Sequence, residues 1–424
     1  MGHNRSPAEQ QVGDLLRTAK ESLGLGLTFL SRLDGETQHL EVVESSVPFL
    51  FKDGATQPQA TSLCQAIIDR KLPPVIPNLA ALPEAKRLPA ARFPRIRSFI
   101  SVPVVLSDGS LYGTFCAAGF TADQTLNKRD KSLMEVLARA AAAIIEPGVR
   151  QGQREREIRG RFAPVVAAGG PLVLLQPIVA LADGSRVGAE ALSRFPAEWA
   201  KPPDVCFEEA HSIGEGTLLE LLALHRAADH LDLVDGYVAM NVSPTTLLDP
   251  RCAELLAELP AERVLVELSE HDQVADYDLL CAALQPLRAN GMRLAIDDVG
   301  AGFSSLRHIV LTSPDVIKLD RSIVAGVTTD PVLQTLVQSL VDFGHGCRAT
   351  VVAEGIETED DAATLAGLGV DYGQGWHFGR PGPAAQLAPA TAPSPRSWPA
   401  TSTGPTAPAP RTGQHEQRSP HPAG

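Results

Sequence analysis

Two adjacent carboxylates, Asp297 and Asp298, follow the apolar run Leu294, Ala295 and Ile296. Adjacent like charges resist joint ionisation. In a surface loop the pair would mark an acidic turn, whereas at the end of a buried strand it asks for a cation. Gly300 and Gly302 come next and let the backbone turn sharply beside a bound group. The expectation is a metal site at the C-terminal end of a strand, with a plain Asp-rich turn as the alternative.

Other short apolar runs end in the same way. Val187 to Ala189 leads to Glu190, Tyr237 to Met240 leads to Asn241, and Val264 to Val266 leads to Glu267. Val316 and Ile317 precede Lys318, and Thr350 to Ala353 precede Glu354. From Glu190 to Glu354 the spacing is about 33 residues per strand step, close to the roughly 30 per unit of a (β/α)8 barrel. Such a barrel gathers strand-end residues on one face. A set of carboxylates and an amide suits a hard cation, magnesium or manganese, better than zinc, which more often takes His or Cys.

Eight ordered motifs give these runs a family likeness. They are QPIV at Gln176, EALSR at Glu190, NVS at Asn241, ELSE at Glu267, IDDVGAGFSS around Asp297, IKLD at Lys318, AEGIET at Glu354 and DYGQGWHFGRP from Asp371. Residues from about 160 to 386 resemble an EAL domain, the cyclic di-GMP phosphodiesterase family. The resemblance implies a TIM-type (β/α)8 barrel with two Mg2+ or Mn2+ ions. Glu190, Asn241, Glu267 and Asp297 would hold one, and Asp297 would bridge to a second completed by Asp298 and Glu354. It further implies that Lys318 contacts the nucleophilic water or a phosphate oxygen, that Glu354 is a candidate base, and that Glu270 steadies the loop after the paired aspartates. Gln176, Arg194 and Gln374 match substrate-contacting positions, and a guanidinium such as Arg194 can grip phosphate bidentately.

The activity implied is hydrolysis of cyclic di-GMP to linear pGpG. The alternative is an inactive EAL receptor that binds the nucleotide and signals to a partner protein. Receptor-type members commonly lack several metal ligands or the lysine, and here all are present. Two positions depart from the family pattern: Val299 stands where Phe is usual, and His211 where Glu is common. Neither is a ligand position, but both bear on loop order and packing.

The elements that must carry this site are preceded by another set. Residues 9–23 have helical spacing in Val12, Leu15, Leu16 and Ala19, and strand-like runs follow at Leu25 to Leu33 and Leu40 to Val43. Thr61 to Asp69 has helical spacing. Ile100 to Leu106 and Leu111 to Ala118 flank Ser107, Asp108 and Gly109, which predicts a hairpin. Asn127 caps a predicted helix from Lys128 to Ile145, with Leu133, Val136, Leu137, Ala140 and Ile144 on one face, stopped at Pro147 and Gly148. With SLCQAII around Cys64, VIPNL near Pro77, SVPVVLSDGSLYGTFCA from Ser101 and LNKRDKSLMEVLA from Leu126, this α+β region resembles a GAF domain. That implies a small-molecule sensor, with the ligand not carried by the fold. Cys64 reads as a small buried residue at a helix start, because no cationic neighbour is evident to depress its pKa; the alternative is a redox or chromophore-linking thiol.

The resulting organisation is a GAF-like sensor domain at 8–147, a charged linker at 148–163, the EAL barrel at 164–384 and a disordered Pro/Ala-rich tail at 385–424. The tail has too few bulky apolar residues to offset the entropy of ordering. A chain of 424 residues with net charge −13 lacks the clustered positive charge that a DNA or RNA polymer requires. No run has the length of a signal peptide or membrane span. The six cysteines, without CxxC spacing, read as buried thiols in a reducing compartment. A cytoplasmic bacterial protein is expected, forming a homodimer as GAF and EAL domains commonly do.

Overall fold

The computed structural model describes residues 5–47, 51–89, 96–269, 274–300 and 305–387. Glu270 and the tail beyond 387 lie outside the described residues, as does most of the loop after the paired aspartates. The chain divides into two compact units, Met1–Glu157 and Ile158–Gly424.

In the first unit, helix α1 (Pro7–Leu23) starts at a capping box in which Ser6 and Glu9 satisfy each other's backbone N–H groups, and ends at Gly24 in a left-handed conformation. A six-stranded antiparallel sheet follows, in the order β3-β2-β1-β6-β5-β4. Its strands are β1 (Leu27–Leu33), β2 (Thr37–Ser45), β3 (Ala55–Pro58), β4 (Val75–Ile76), β5 (Ser98–Val105) and β6 (Leu111–Gly119). The predicted hairpin is β5 with β6, paired from Ser98 with Gly119 to Val105 with Leu111. Period-two alternation separates two cores. Leu30, Ile100, Val102, Phe115 and Ala117 pack with Val12 and Leu16 of α1, while Leu27, Phe29, Phe99, Cys116 and Ala118 pack with Leu63 and Cys64 of the short helix α2 (Leu63–Ile68).

Asn127 accepts the Arg129 N–H, as expected of a cap. The helix it opens, α3, runs from Lys128 to Ala167, through the expected stop at Pro147 and through the stretch expected as a linker. Proline removes one i→i−4 bond, but each further residue restores one, and pairs such as Lys131 with Glu135 and Gln151 with Glu155 support the helix on both sides. Its buried stripe is Met134, Leu137, Ala138 and Ala141, whereas Val136 faces solvent.

In the second unit, eight strands close into a barrel, β7-β8-β9-β10-β11-β12-β13-β14, with β14 pairing back to β7. They are β7 (Leu172–Ala180), β8 (Arg186–Arg194), β9 (Tyr237–Asn241), β10 (Val264–Ser269), β11 (Arg293–Val299), β12 (Val316–Leu319), β13 (Thr350–Ala353) and β14 (Tyr372–Gln374). From β8 to β14 neighbours are parallel, as the (β/α)8 reading expects; β7 alone runs antiparallel to both of its neighbours. The cause is the link Leu181–Ser185, which is far too short for the dozen or so residues of a crossover. Outside the strands, the helix Pro331–Gly346 buries Val337 and Val341 and leaves Val332 and Leu336 exposed. Val299 is buried in the barrel core. His211 pairs with Glu220, whose other oxygen accepts the Ser243 N–H at 2.8 Å. Both departures from the family pattern are thus absorbed by packing and support.

Candidate active site

Lys318 organises the centre. It is 1% exposed, and its Nζ lies 2.7 Å from Glu354, 3.0 Å from Glu267, 3.0 Å from Asp297 and 3.4 Å from Glu190. These side chains come from β8, β10, β11, β12 and the residue after β13, so parallel register brings them together. Asn241 Nδ2 donates to Glu190 at 3.0 Å, which leaves its carbonyl oxygen as a hard-ligand atom. Gln374 Nε2 donates to Glu190 at 2.6 Å and to Gln176 Oε1 at 3.1 Å. Gln176 in turn donates to the Gly379 carbonyl at 3.0 Å.

The charges do not balance. Four carboxylates surround one ammonium, and Asp298 adds a fifth acid beside Asp297. Burial pushes the Glu267 carboxyl well above the usual range, and Glu190, Asp297 and Glu354 add to it against the pull of Lys318. Glu354 is raised likewise, by burial and then Asp297. Asp297 is pushed up to about 6, first by burial, with Lys318 opposing and Glu190 and Asp298 reinforcing. Glu190 goes the other way: burial is outweighed by Lys318, Gln374 and Asn241, which favour its anion. The carboxylates in turn hold the Lys318 pKa well above normal against burial, so it stays charged.

Donor geometry fits metal ions. Glu190, Glu267 and Asp297 each offer an oxygen within 4.8 Å of the others, and so do Asp297, Asp298 and Glu354. Asp297 belongs to both triads. Glu267 Oε1 and Glu354 Oε1 are buried without a hydrogen-bond partner, meeting only the Lys318 charge. A buried anion left in that state is costly unless a cation joins it. No histidine or cysteine enters either triad among the described residues. Asp298 has φ 61°, a left-handed conformation that lets consecutive residues both serve the site, while its N–H closes on Asp297 Oδ1 at 2.8 Å.

A cavity of about 320 Å³ opens above this centre, lined in part by Gln176, Glu190, Asp297, Asp298, Glu354 and Gln374. Its rim adds Leu192, Arg321, Glu357 and Trp376, none of them singled out from the sequence. Arg380 lies over the Trp376 ring at 4.2 Å, and Arg321 pairs with Glu357 at 2.6 Å. The signal was available, since these residues sit inside or beside the EALSR, IKLD, AEGIET and DYGQGWHFGRP motifs. Arg194 ends β8 and donates to the Ser193 carbonyl; it is not among the residues lining the cavity.

The EAL domain family model matches residues 161–381, about half of the chain. The chain belongs to the EAL-domain family. A GAF domain model matches residues 8–146 ahead of the EAL part. The EAL region is 31% identical to an uncharacterized protein of Mycobacterium tuberculosis, over 49% of this chain and 74% of that one. It is 29% identical to the probable cyclic di-GMP phosphodiesterase PdeB of Escherichia coli, over 48% of this chain and 41% of that one. Among solved structures it is similar to the PaMucR phosphodiesterase in complex with c-di-GMP, with TM-score 0.50 and 25% identity, over 55% of this chain and 99% of that one. No described helix of this EAL protein is long and apolar enough to cross a membrane.

Proposed function

We propose that the EAL barrel is a metal-dependent phosphodiesterase that opens cyclic di-GMP to linear pGpG. The observation that carries this reading is Asp297 standing in two acid triads at once. Glu190, Asn241, Glu267 and Asp297 would hold one ion, and Asp297, Asp298 and Glu354 the other. Two divalent ions, magnesium or manganese for an all-oxygen donor set, would activate a water and offset charge on the phosphoryl oxygens.

The chain's own part is to place and polarise. Lys318 keeps its proton and joins the carboxylates into one rigid unit, with its ammonium available to a phosphate oxygen or the attacking water. Glu354, whose carboxyl is held above the usual range by burial and by Asp297, is the candidate base. Gln374 and Gln176 lock Glu190 from behind and present amide groups to the substrate. Glu270 remains proposed as the residue that steadies the loop after Asp298, and Arg194 as a phosphate contact.

The GAF region is proposed to regulate the barrel by binding a small molecule of unknown identity, and the working unit to be a homodimer. Leu279, Val310 and Leu311 are exposed apolar residues on the adjoining helices Tyr277–Ala289 and Ser305–Thr312, which supports self-association. The test is incubation of purified protein with cyclic di-GMP and magnesium or manganese, followed by chromatography. Appearance of pGpG is expected. Intact nucleotide co-eluting with the protein would replace the enzyme by a receptor.

A further inference from the structure

One face of the first unit's sheet holds a polar cluster inside an apolar core. Ser31 of β1, Gln38 of β2, Ser101 of β5, and Thr114 and Cys116 of β6 are all buried there, and Cys64 of α2 meets them. Cys64 and Cys116, which are 2% and 0% exposed, bring their sulfurs to 3.4 Å. Gln38 Nε2 donates to Cys64 Sγ at 3.0 Å and to Ser31 Oγ at 2.8 Å. Cys116 Sγ lies 3.2 Å from both Ser101 Oγ and Thr114 Oγ1. The half-buried Gln57 donates to Gln38 Oε1 at 2.7 Å, so the network reaches towards the surface.

We propose that Cys64 and Cys116 form a peroxide-reactive dithiol that is oxidised to an intramolecular disulfide in the folded protein. The two sulfurs are not equivalent. Cys64 Sγ accepts from the Gln38 amide N–H, so its surroundings favour the thiolate that attacks. Burial raises its pKa, but hydrogen bonds from Cys116, Thr114, Gln38 and Ser101 outweigh burial and bring it to about 7. Burial and the shared proton hold Cys116 well above normal, which makes it the resolving partner.

In the first step the Cys64 thiolate attacks one peroxide oxygen. An S–O bond forms, the O–O bond breaks, and the departing hydroxide takes a proton to become water. In the second step Cys116 gives up its proton and attacks the Cys64 sulfenic acid. The S–S bond forms, the S–O bond breaks, and the hydroxyl leaves as a second water. The sum is two thiols and one hydrogen peroxide giving one disulfide and two waters. Access for peroxide requires the six-residue α2 to move aside from the buried cluster, and the rate of thiol loss reads that opening. The proposal rests on the first unit alone, so it stands or falls separately from the reading of the barrel.

The test uses the full chain, reduced, freed of reductant and exposed to hydrogen peroxide. It is then unfolded and alkylated, and its peptides are mapped by mass. The expected result is loss of two thiols, one Cys64–Cys116 cross-link, and full recovery with a dithiol reductant. Cys116→Ser should instead accumulate a sulfenic acid on Cys64 that a cyclic diketone traps. Gln38→Leu should slow thiol loss by about tenfold, the scale of one hydrogen bond to a charged acceptor. Should Cys116→Ser fail to fold, the wild-type map and the Gln38→Leu rate still decide. Complete alkylation of both cysteines after peroxide, or a cross-link through Cys281 or Cys347 in their place, overturns the proposal.

Discussion

The two units bury polar side chains in opposite ways. In the barrel, four acids share one lysine with a fifth acid beside them, and buried carboxylate oxygens lack hydrogen-bond partners. In the first unit, a glutamine, two serines, a threonine and two cysteines satisfy one another through hydrogen bonds. The first arrangement holds more acid than its lysine can neutralise. The second is complete at rest and changes only when its covalent bonding changes. Burial alone does not mark a functional centre; the state of balance among the buried groups indicates what it can do.

Breaking the acidic centre should have the largest effect. Asp297→Asn weakens both triads at once and should reduce pGpG formation by about 10³-fold or more, a loss on the scale of removing a main stabiliser of transition-state charge. Lys318→Ala should lose most activity while metal content, measured by elemental analysis, is retained. Near wild-type turnover in either variant would refute the assignment. Chelation should silence the protein and magnesium or manganese restore it.

Gln374→Ala tests the support behind Glu190. It should lower activity or metal affinity by about 10–100-fold, the usual size for a group that orients a ligand. A change under about twofold would mean that Glu190 holds its place without the amide.

The imbalance also has a thermal signature. A carboxyl raised to about 6 in the folded protein, against about 3.9 when unfolded, gains its proton on the folded side first as pH falls. Metal-free protein should therefore become more stable as pH drops from 7 to 5, with that gain lost again as pH rises through 6. A rise of about 2–4 °C in melting temperature corresponds to roughly 1 kcal/mol. Asp297→Asn should flatten this dependence, and a profile equally steep in that variant would assign it elsewhere. The smallest effect is expected in the first unit's hydrogen-bonded cluster. Thr114→Val leaves Ser31 its bond from Gln38 and should cost about 1 kcal/mol in the first unit's melting, with pGpG formation unchanged.

Legibility in the sequence followed the same division. Glu190, Asn241, Glu267, Asp297, Lys318 and Glu354 were readable because each ends or occupies a short apolar run, and a barrel converts that position into proximity. The cavity rim was harder, because Arg321 opens a helix of only four residues and Trp376 lies in a turn, and neither is long enough to show periodicity. Cys64 and Cys116 are 52 residues apart and share no spacing motif, so only strand pairing and the seat of α2 bring them together. Cys281 is partly exposed and Cys347 exposed, contrary to a uniform reading of buried thiols. The helix through Pro147 was missed because a proline was read as a stop, where backbone propagation on both sides outweighs one lost bond. The reversal of β7 did leave a trace, in the few residues between QPIV and EALSR.

That reversed strand also orders events in time. β7 meets β8 through a tight local hairpin, a contact reached early in a folding chain, but the ring shuts only when β14 returns to β7. The Gln374–Gln176 bond that joins those strands spans 198 residues of sequence. Contacts so distant in sequence form slowly, because the intervening chain must first surrender its freedom. Gln374 also grips Glu190, so the seam between β14 and β7 is the one that fixes that carboxylate. In refolding from denaturant, recovery of metal binding should trail the return of helical signal, and so report completion of the ring itself.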